Sequence, residues 1–411
     1  MPISAPISAD FTRLWTAAAI TNLGDGALLA AGPLLIASIT TDPAAVAAAM
    51  FAQQLPWLLF ALTSGALVDR LPRRTLLLAV NTARGATLGL LAIAITVAEP
   101  QLWLIYVVLF LLGTGETLAD ATYGALVADT VPPDQLGRAN TRIFLTFSLG
   151  NQLAGPPLGA LLFAAGAALP FGFKALVFLL TVLILFRLNT SPPSTQDIRG
   201  TSLRAEVAEG LRWLWHHRGL RVLAACILVM NLAGVGVFAL WVLYGTQRLG
   251  LTETGYGLFI AAGAVGAITG SWVYGRLEQW FGMVTLLRAG LVVEAATYAA
   301  LALTQNPWVA GLTMAVFGVH AVVWGSVATT VRQLATPSAL LGRVGSVYQL
   351  ASVGGAALGA LLGGFVAQRF GLLAPFWIAF AAVAAMTALC WRRLRDVEPA
   401  TSQGSPRHSG P

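Results

Sequence analysis

The sequence has few charged side chains and few cysteines, and both shortages restrict what the protein can be. Only 10% of its 411 residues are Asp, Glu, Lys or Arg, whereas a soluble globular protein carries about a quarter. The two cysteines, Cys226 and Cys390, stand in apolar segments, where we expect them to be small buried hydrophobic residues. With no CxxC pair and no Cys/His cluster, the sequence predicts no bound metal and no cofactor.

The chain also lacks the motifs of membrane enzymes and of ATP-driven pumps. No HExxH, GxSxG or GxxxxGK[ST] pattern occurs, so we do not expect an enzyme. The net charge of +7 is divided among short stretches between apolar runs. A nucleic-acid-binding protein would cluster its cations on one face, so no nucleic-acid partner is expected.

Long apolar runs make up most of the chain: 57% of the residues are hydrophobic, and the mean hydropathy is +0.76. A helix needs about 20 mostly apolar residues to span a bilayer. The runs predict an all-α integral membrane protein with twelve transmembrane helices, at residues 12–39, 45–67, 75–97, 102–128, 140–165, 171–188, 221–246, 255–276, 284–304, 308–333, 343–366 and 373–391.

The arginines predict how the chain is oriented in the membrane. If the N-terminus is inside, the inner connections hold nine arginines between Arg70 and Arg276, and the C-terminal end adds three more. The outer connections are expected to hold only Lys174, Arg248 and Arg369. Because Lys and Arg are enriched in cytoplasmic loops, both termini are expected in the cytoplasm.

One long polar connection divides the chain near its midpoint. In its second part, Leu203, Val207, Leu211 and Leu214 fall on one helical face, which favours an amphipathic helix on the membrane surface over a plain polar tether. The predicted domains are an N-terminal half at 1–188, a cytoplasmic linker at 189–220, a C-terminal half at 221–395 and a disordered tail at 396–411.

The two halves show traces of an internal repeat. A shift of 205 residues superposes "VPPDQLGRAN" on "TPSALLGRVG", which aligns Pro132 with Pro337 and Gly137 with Gly342. Two duplicated six-helix halves around a central cavity are a common design among transporters.

A cluster of charges stands between the second and third spans, in "GALVDRLPRR". The glycine permits close helix contact, and the aspartate can pair with an arginine or with a helix N-terminus. The cluster predicts either a cytoplasmic gate or a simple marker of topology, carried by Gly65, Asp69, Arg70, Arg73 and Arg74.

This motif, with twelve spans and a long central connection, resembles the signature of the major facilitator superfamily. The segments "NLGDGALLAAGPLLI", "LGTGETLAD", "GRAN" and "GPPLG" resemble the branch of bacterial enterobactin and macrolide exporters. The resemblance implies two pseudo-symmetric halves around a central cavity, and a gate formed by the charge motif and the other half. At the matching place in the second half, Tyr274 replaces the aspartate, so the gate is expected to be asymmetric.

The fifth span carries Gly155, Pro156 and Gly159 in "GPPLG". Proline and closely spaced glycines predict a kinked helix with a thin packing face. The segment resembles the superfamily's antiporter motif, which implies a surface that slides during transport. Close static packing is the alternative.

Three carboxylates fall inside predicted spans: Asp25 on the first, and Glu116 and Asp120 one turn apart on the fourth. Buried charges are costly and usually face a cavity or a partner. The resemblance implies that the first and fourth spans line the cavity, so we expect these acids to exchange protons. The alternative is permanent neutralisation by Arg84 or Arg142. The resemblance implies that the ninth span is peripheral, so we expect its Glu294 to be a structural partner of Arg288.

The remaining cavity candidates are polar or aromatic. Bulky rings with a few hydrogen-bonding groups suit an amphipathic ligand better than an ion or a sugar. The predicted cavity residues are Asn22 on the first span, Asn231, Phe238, Trp241 and Tyr244 on the seventh, and His320 and Trp324 on the tenth.

Together these features predict a monomeric secondary transporter in the bacterial inner membrane. We expect proton-coupled efflux of an amphipathic small molecule, such as a drug, a macrolide-like compound or a siderophore, by alternating access. An importer, or a sensor or scaffold that keeps the fold without transporting, are the alternatives.

Overall fold

The computed structural model describes residues 8–98, 100–132, 135–188, 203–337 and 340–397. Two π-helical segments, Phe147–Ala154 and Tyr244–Arg248, interrupt the fifth and seventh spans, and a short 3-10 helix covers Arg393–Val397. The α-helices are α1 (Ala9–Ile39), α2 (Pro43–Arg70), α3 (Arg73–Val97), α4 (Leu102–Thr130), α5 (Leu136–Thr146), α6 (Gly155–Ala165), α7 (Leu169–Leu185), α8 (Leu203–His216), α9 (Arg218–Phe238), α10 (Trp241–Leu243), α11 (Glu253–Leu303), α12 (Pro307–Ala335), α13 (Leu341–Phe370) and α14 (Ala374–Cys390).

These helices confirm the twelve predicted spans. Eight of the described helices are each long and apolar enough to cross a membrane. One of the eight, the 51-residue α11, holds the eighth and ninth spans, which meet at Gly282. The φ of Gly282 is 71°, a conformation that favours glycine because it has no Cβ. Helices α5 and α6 with the π segment between them form the fifth span, and the shorter α7 and α14 are the sixth and twelfth.

Hydrogen bonds identify the end of the bundle at which the termini lie. Ser8 at the start of α1 donates from Oγ to the carbonyl oxygen of Thr130 at the end of α4, at 2.8 Å. Arg288, just after the turn within α11, donates to the carbonyl oxygen of Trp391 beyond α14. We call this the terminal end and the other the opposite end.

The repeat predicted from the sequence has a structural counterpart at the terminal end. The backbone N–H of Gln135 donates to the carbonyl of Pro132 at 2.9 Å, and that of Leu340 donates to the carbonyl of Pro337 at 2.9 Å. The two turns are 205 residues apart, so the same local structure precedes the fifth and the eleventh spans.

Close contacts between the two halves lie at the opposite end. A Cβ on Gly364 of α13 would lie 2.4 Å from the Cβ of Ala47 on α2. The amide of Gln368 donates to the carboxylate of Asp42 at 3.2 Å. Gly257 of α11 packs equally tightly on Ala160 of α6, where an added Cβ would approach to 2.7 Å. Small residues thus allow the halves to meet closely at this end.

The linker helix α8 is docked on the second half. Glu209 pairs with Arg343 of α13 at 2.6 Å, and Gly210 packs on the carbonyl of Arg343. The predicted apolar face is divided, since Leu214 is buried whereas half of Leu211 is exposed. The side chains of 203–207 and all of the predicted tail from residue 398 lie outside the described residues.

Candidate functional site

A buried ion cluster lies in the middle of the first half. The carboxylate of Asp25 on α1 is 2.8 Å from the ammonium of Lys174 on α7 and 3.6 Å from the guanidinium of Arg84 on α3. The Lys174 side chain is fully buried. Its assignment to an outer connection was therefore wrong, although its place within the apolar run 171–188 was a signal that it lies in the membrane.

Local packing explains how a lysine can occupy this interior position. Gly24 leaves the space for the lysine chain, because a Cβ there would lie 2.5 Å from the Cδ of Lys174. The ammonium also donates to the carbonyl oxygen of Thr21 at 2.7 Å. It lies 4.3 Å from the ring centroid of Phe178, and Arg84 lies 4.6 Å from the same ring. Carboxylate, carbonyl and aromatic face together compensate the lost hydration.

The other two predicted carboxylates lie beside this cluster on α4. Arg84 packs across Gly115, where a Cβ would lie 2.7 Å from its Cγ, and it interacts electrostatically with Glu116 and Asp120. Within the described parts of the chain, no cation lies within 4.0 Å of either carboxylate. Arg142 is placed over the ring of Trp15, at 5.8 Å, and not beside an acid.

Two cavities meet at this cluster. The terminal cavity, of about 500 Å³, is lined by Asn22, Asp120 and Tyr123 among others. The central cavity, of about 240 Å³, extends toward the opposite end between apolar side chains such as Leu88 and Ile105. Both cavities share five wall residues, namely Asp25, Arg84, Glu116, Phe147 and Asn151. Asp25 and Glu116 therefore face internal space on both sides, whereas Asp120 faces the terminal cavity.

The glycine–proline motif of the fifth span packs on α1 next to Asp25. A Cβ on Gly159 would lie 1.9 Å from the carbonyl oxygen of Ala27, and one on Gly155 would lie 2.5 Å from the Cα of Gly26. Pro156 lies in the first turn of α6, directly after the π-helical segment. The break in the span thus adjoins the ion cluster.

A third cavity, of about 390 Å³, lies in the second half, and we call it the second-half cavity. Tyr244, one of the predicted cavity residues, is not part of its wall. Its side chain is fully buried, and its hydroxyl donates to the carbonyl of Leu301 at 2.7 Å. Packing therefore accounts for this tyrosine. The remaining predicted second-half candidates all line the cavity: Asn231, Phe238, Trp241, His320 and Trp324.

The interpretation of Glu294 as a partner of Arg288 was wrong. Glu294 lines the second-half cavity, and its Oε2 is 2.7 Å from Nε2 of His320. The hydroxyl of Tyr298 donates to its other oxygen. Arg288 donates to the carbonyl of Trp391 and lies over its ring. The sequence contained one signal that Glu294 faces a cavity or a buried partner, namely that it is a lone acid inside an apolar span.

Only part of the charge motif at the terminal end can be described. Arg73 pairs with Asp129 of α4 at 2.5 Å, and Arg74 donates to the carbonyl of Phe186 and lies over its ring. Both contacts stay within the first half. The side chains of Asp69 and Arg70, and the surroundings of Gly65, lie outside the described residues.

Solved structures of transporters share this fold. The nucleoside transporter NupG superposes with a TM-score of 0.76 at 11% identity, covering 94% of this chain and 100% of that one. An inward-facing bacterial homologue of the iron transporter ferroportin superposes with a TM-score of 0.74 at 16% identity, covering 95% and 98%. At these identities the likeness concerns the fold, which is the predicted all-α arrangement.

Curated sequences are similar over long stretches. The enterobactin exporter EntS of Escherichia coli O1:K1 / APEC is 30% identical over 75% of this chain and 73% of its own length. The multidrug efflux pump Tap of Mycolicibacterium fortuitum is 25% identical over 88% and 90%. The class C tetracycline resistance protein of Escherichia coli is 33% identical over 60% of this chain, which spans only 61% of that relative.

The family described as transmembrane secretion effector matches residues 2–411. The fold of twelve spans and the charged residues in its cavities agree with this match and with the relatives. The chain therefore belongs to the transmembrane secretion effector family of the major facilitator superfamily.

Proposed function

We propose that the protein is a secondary active exporter that exchanges protons for an amphipathic small molecule by alternating access. The observation that carries the proposal is the position of Asp25, Arg84 and Glu116 in the wall shared by the terminal and central cavities. A protonatable group there is exposed to internal space on both sides, as a coupling site must be.

The charge balance of the cluster supports proton binding. Asp25, Glu116 and Asp120 are three carboxylates, whereas Arg84 and Lys174 are only two cations. Asp120 is exposed to the terminal cavity but interacts electrostatically with the buried Arg84, and an uncompensated charge beside so poorly solvated a group is costly. One proton on any of the three acids makes the cluster neutral. When that proton leaves, the cluster has one uncompensated negative charge, which another positive charge must balance before the cavity opens to the other side of the membrane.

The contacts between the halves support alternating access. Gly364 with Ala47, and Gln368 with Asp42, join the halves at the opposite end. The terminal cavity is lined by first-half residues alone. These features fit a state that is closed at the opposite end. With Arg and Lys enriched in cytoplasmic loops, this is an inward-facing state with both termini in the cytoplasm.

The relatives support export as the direction of transport. The names of EntS and Tap describe an exporter and an efflux pump. A monomer in the bacterial inner membrane is sufficient for such an activity, because each chain holds both halves and all three cavities.

The test is drug and dye accumulation in a drug-sensitive bacterial host. We expect the wild type to lower accumulation of at least one compound, and both a protonophore and Asp25→Asn to abolish the effect. Asp10→Asn is the matched control, since Asp10 lies on the same helix and pairs locally with Arg13 at its end. Extrusion that persists without the proton gradient would overturn the coupling, and a broad panel with no extruded compound would overturn transport.

A further inference from the structure

The second-half cavity contains an acid and an imidazole that the first-half cluster does not use. Glu294 and His320 face each other at 2.7 Å, and each side chain is only 4% exposed. The Glu294 carboxylate accepts a second hydrogen bond from Tyr298. With a proton on His320, the pair is a neutral imidazolium–carboxylate couple.

Among the described residues, no Lys or Arg pairs with this carboxylate. Glu294, Tyr298 and His320 are the titratable residues that line the cavity, which has no Lys or Arg in its described wall. The polar residue that α9 contributes to the cavity wall is the uncharged Asn231. Arg288 on α11 donates a hydrogen bond to the carbonyl of Trp391. When His320 loses its proton, a negative charge therefore remains buried with only hydrogen bonds to stabilise it, which is costly.

The walls beside this pair suit a large apolar cation. The cavity wall contains four aromatic residues and two methionines: Phe238, Trp241, Phe317, Trp324, Met230 and Met314. Aromatic faces attract cations, and methionine adapts to irregular ligands. The indole Nε1 of Trp241 is buried and has no hydrogen-bond partner in the described structure.

We infer that the second-half cavity binds a lipophilic organic monocation, with Glu294 as its counter-charge and His320 as the proton it displaces. One positive charge enters with the ligand and one proton leaves the imidazolium for the aqueous phase, so the charge of the site is unchanged. The inference rests on the proposed function and names its substrate class. It assigns proton exchange to a second place, distinct from Asp25.

The test uses the purified full-length chain in detergent with tetraphenylphosphonium as the probe. Because protons compete with the probe, its affinity measured by isothermal titration calorimetry should be higher at alkaline than at acidic pH. Adding the probe to weakly buffered wild-type protein should release protons. Neutral triphenylphosphine oxide should neither bind with this pH dependence nor release protons.

The variants separate the two roles. Glu294→Gln should weaken tetraphenylphosphonium binding by about tenfold or more, which corresponds to the loss of one favourable charge interaction. His320→Gln keeps a hydrogen-bond donor but cannot hold the proton, so the affinity should no longer depend on pH. Glu253→Gln, an exposed acid at the start of α11, is the matched control.

Wild-type affinity for the probe in Glu294→Gln, or binding without proton release in the wild type, would overturn the inference. Proton release that disappears in His320→Gln assigns the release to the second-half cavity, so the question is decided even if Glu294→Gln does not fold. Binding is measured without a membrane gradient. A protein that binds the probe with proton release but extrudes nothing from cells therefore refutes the proposed function alone, and normal extrusion without this binding refutes the inference alone.

Discussion

The ammonium of Lys174 lies 2.8 Å from the carboxylate of Asp25, in a space that exists because residue 24 is glycine. Lys174 itself is fully buried, while Asp25 is 24% exposed toward the cavities. The acid can therefore exchange with internal solvent while the base remains enclosed. Lys174 is thus the enclosed partner of the pair, and Asp25 is the partner that contacts the internal space.

Removing the charge of Asp25 or of Lys174 alone should destabilise the protein more than removing both charges. Removal of one partner from a buried ion pair costs about 3–5 kcal/mol, because the other charge is left uncompensated. We expect Asp25→Asn and Lys174→Met each to lower the free energy of unfolding by about this amount. The double variant should regain most of the stability but none of the transport. Thermal unfolding in detergent and dye extrusion measure the two effects, and a double variant no more stable than either single one would contradict the pairing.

Gly24→Ala should displace the lysine. The added Cβ would overlap the Cδ of Lys174 at 2.5 Å, so the ammonium must leave its position beside Asp25. We expect a lower unfolding temperature and a strong loss of extrusion. Gly32→Ala on the same helix is the control, because a Cβ there meets nothing within 4 Å. Equal stability of the two variants would show that the lysine relaxes without loss.

Gly364→Ala should open the contact between the halves at the opposite end. Its Cβ would lie 2.4 Å from the Cβ of Ala47, so α2 and α13 must separate. Spin labels at Thr41 and Phe370, with Cys226 and Cys390 replaced, should report a longer or broader distance. Gly354→Ala, on α13 in open space, should leave the distribution unchanged. An unaltered distance in Gly364→Ala would mean that this contact does not hold the halves together.

Glu116→Gln should uncouple transport from the proton gradient with little effect on folding. The variant leaves two carboxylates for the two cations Arg84 and Lys174, so the cluster is balanced without a proton. Unlike Asp25→Asn, it breaks no ion pair, because no cation among the described residues lies within 4.0 Å of Glu116. We expect normal thermal stability, and extrusion that no longer increases when the outside is made more acidic. The control Glu253→Gln should keep the pH dependence of the wild type. Wild-type dependence in Glu116→Gln would assign the proton to another acid.

The orientation predicts the behaviour of fusions to the C-terminus. Green fluorescent protein fused after Pro411 should fluoresce, because it folds in the cytoplasm, while alkaline phosphatase at the same site should be inactive. The same enzyme fused in the connection between α1 and α2 should be active. The reverse pattern would invert the topology inferred from the arginines.

The spans and the repeat were predictable because each depends on neighbouring residues in the chain. Twenty apolar residues form a helix in lipid whatever lies beside them, and charges between such runs are kept out of the hydrocarbon. The break in the fifth span was similarly visible in Gly155 and Pro156, although the π-helical segment before it was not.

The partners of the buried charges could not be read from the chain. Asp25 meets Lys174, 149 residues away, because α1 and α7 pack at Gly24, and Glu294 meets His320 rather than Arg288 because two different spans converge there. Burial makes an unpaired charge costly wherever it lies, so single residues already indicated that partners were needed. Which side chains supply them depends on angles and distances between helices, and these exist only once the helices have packed.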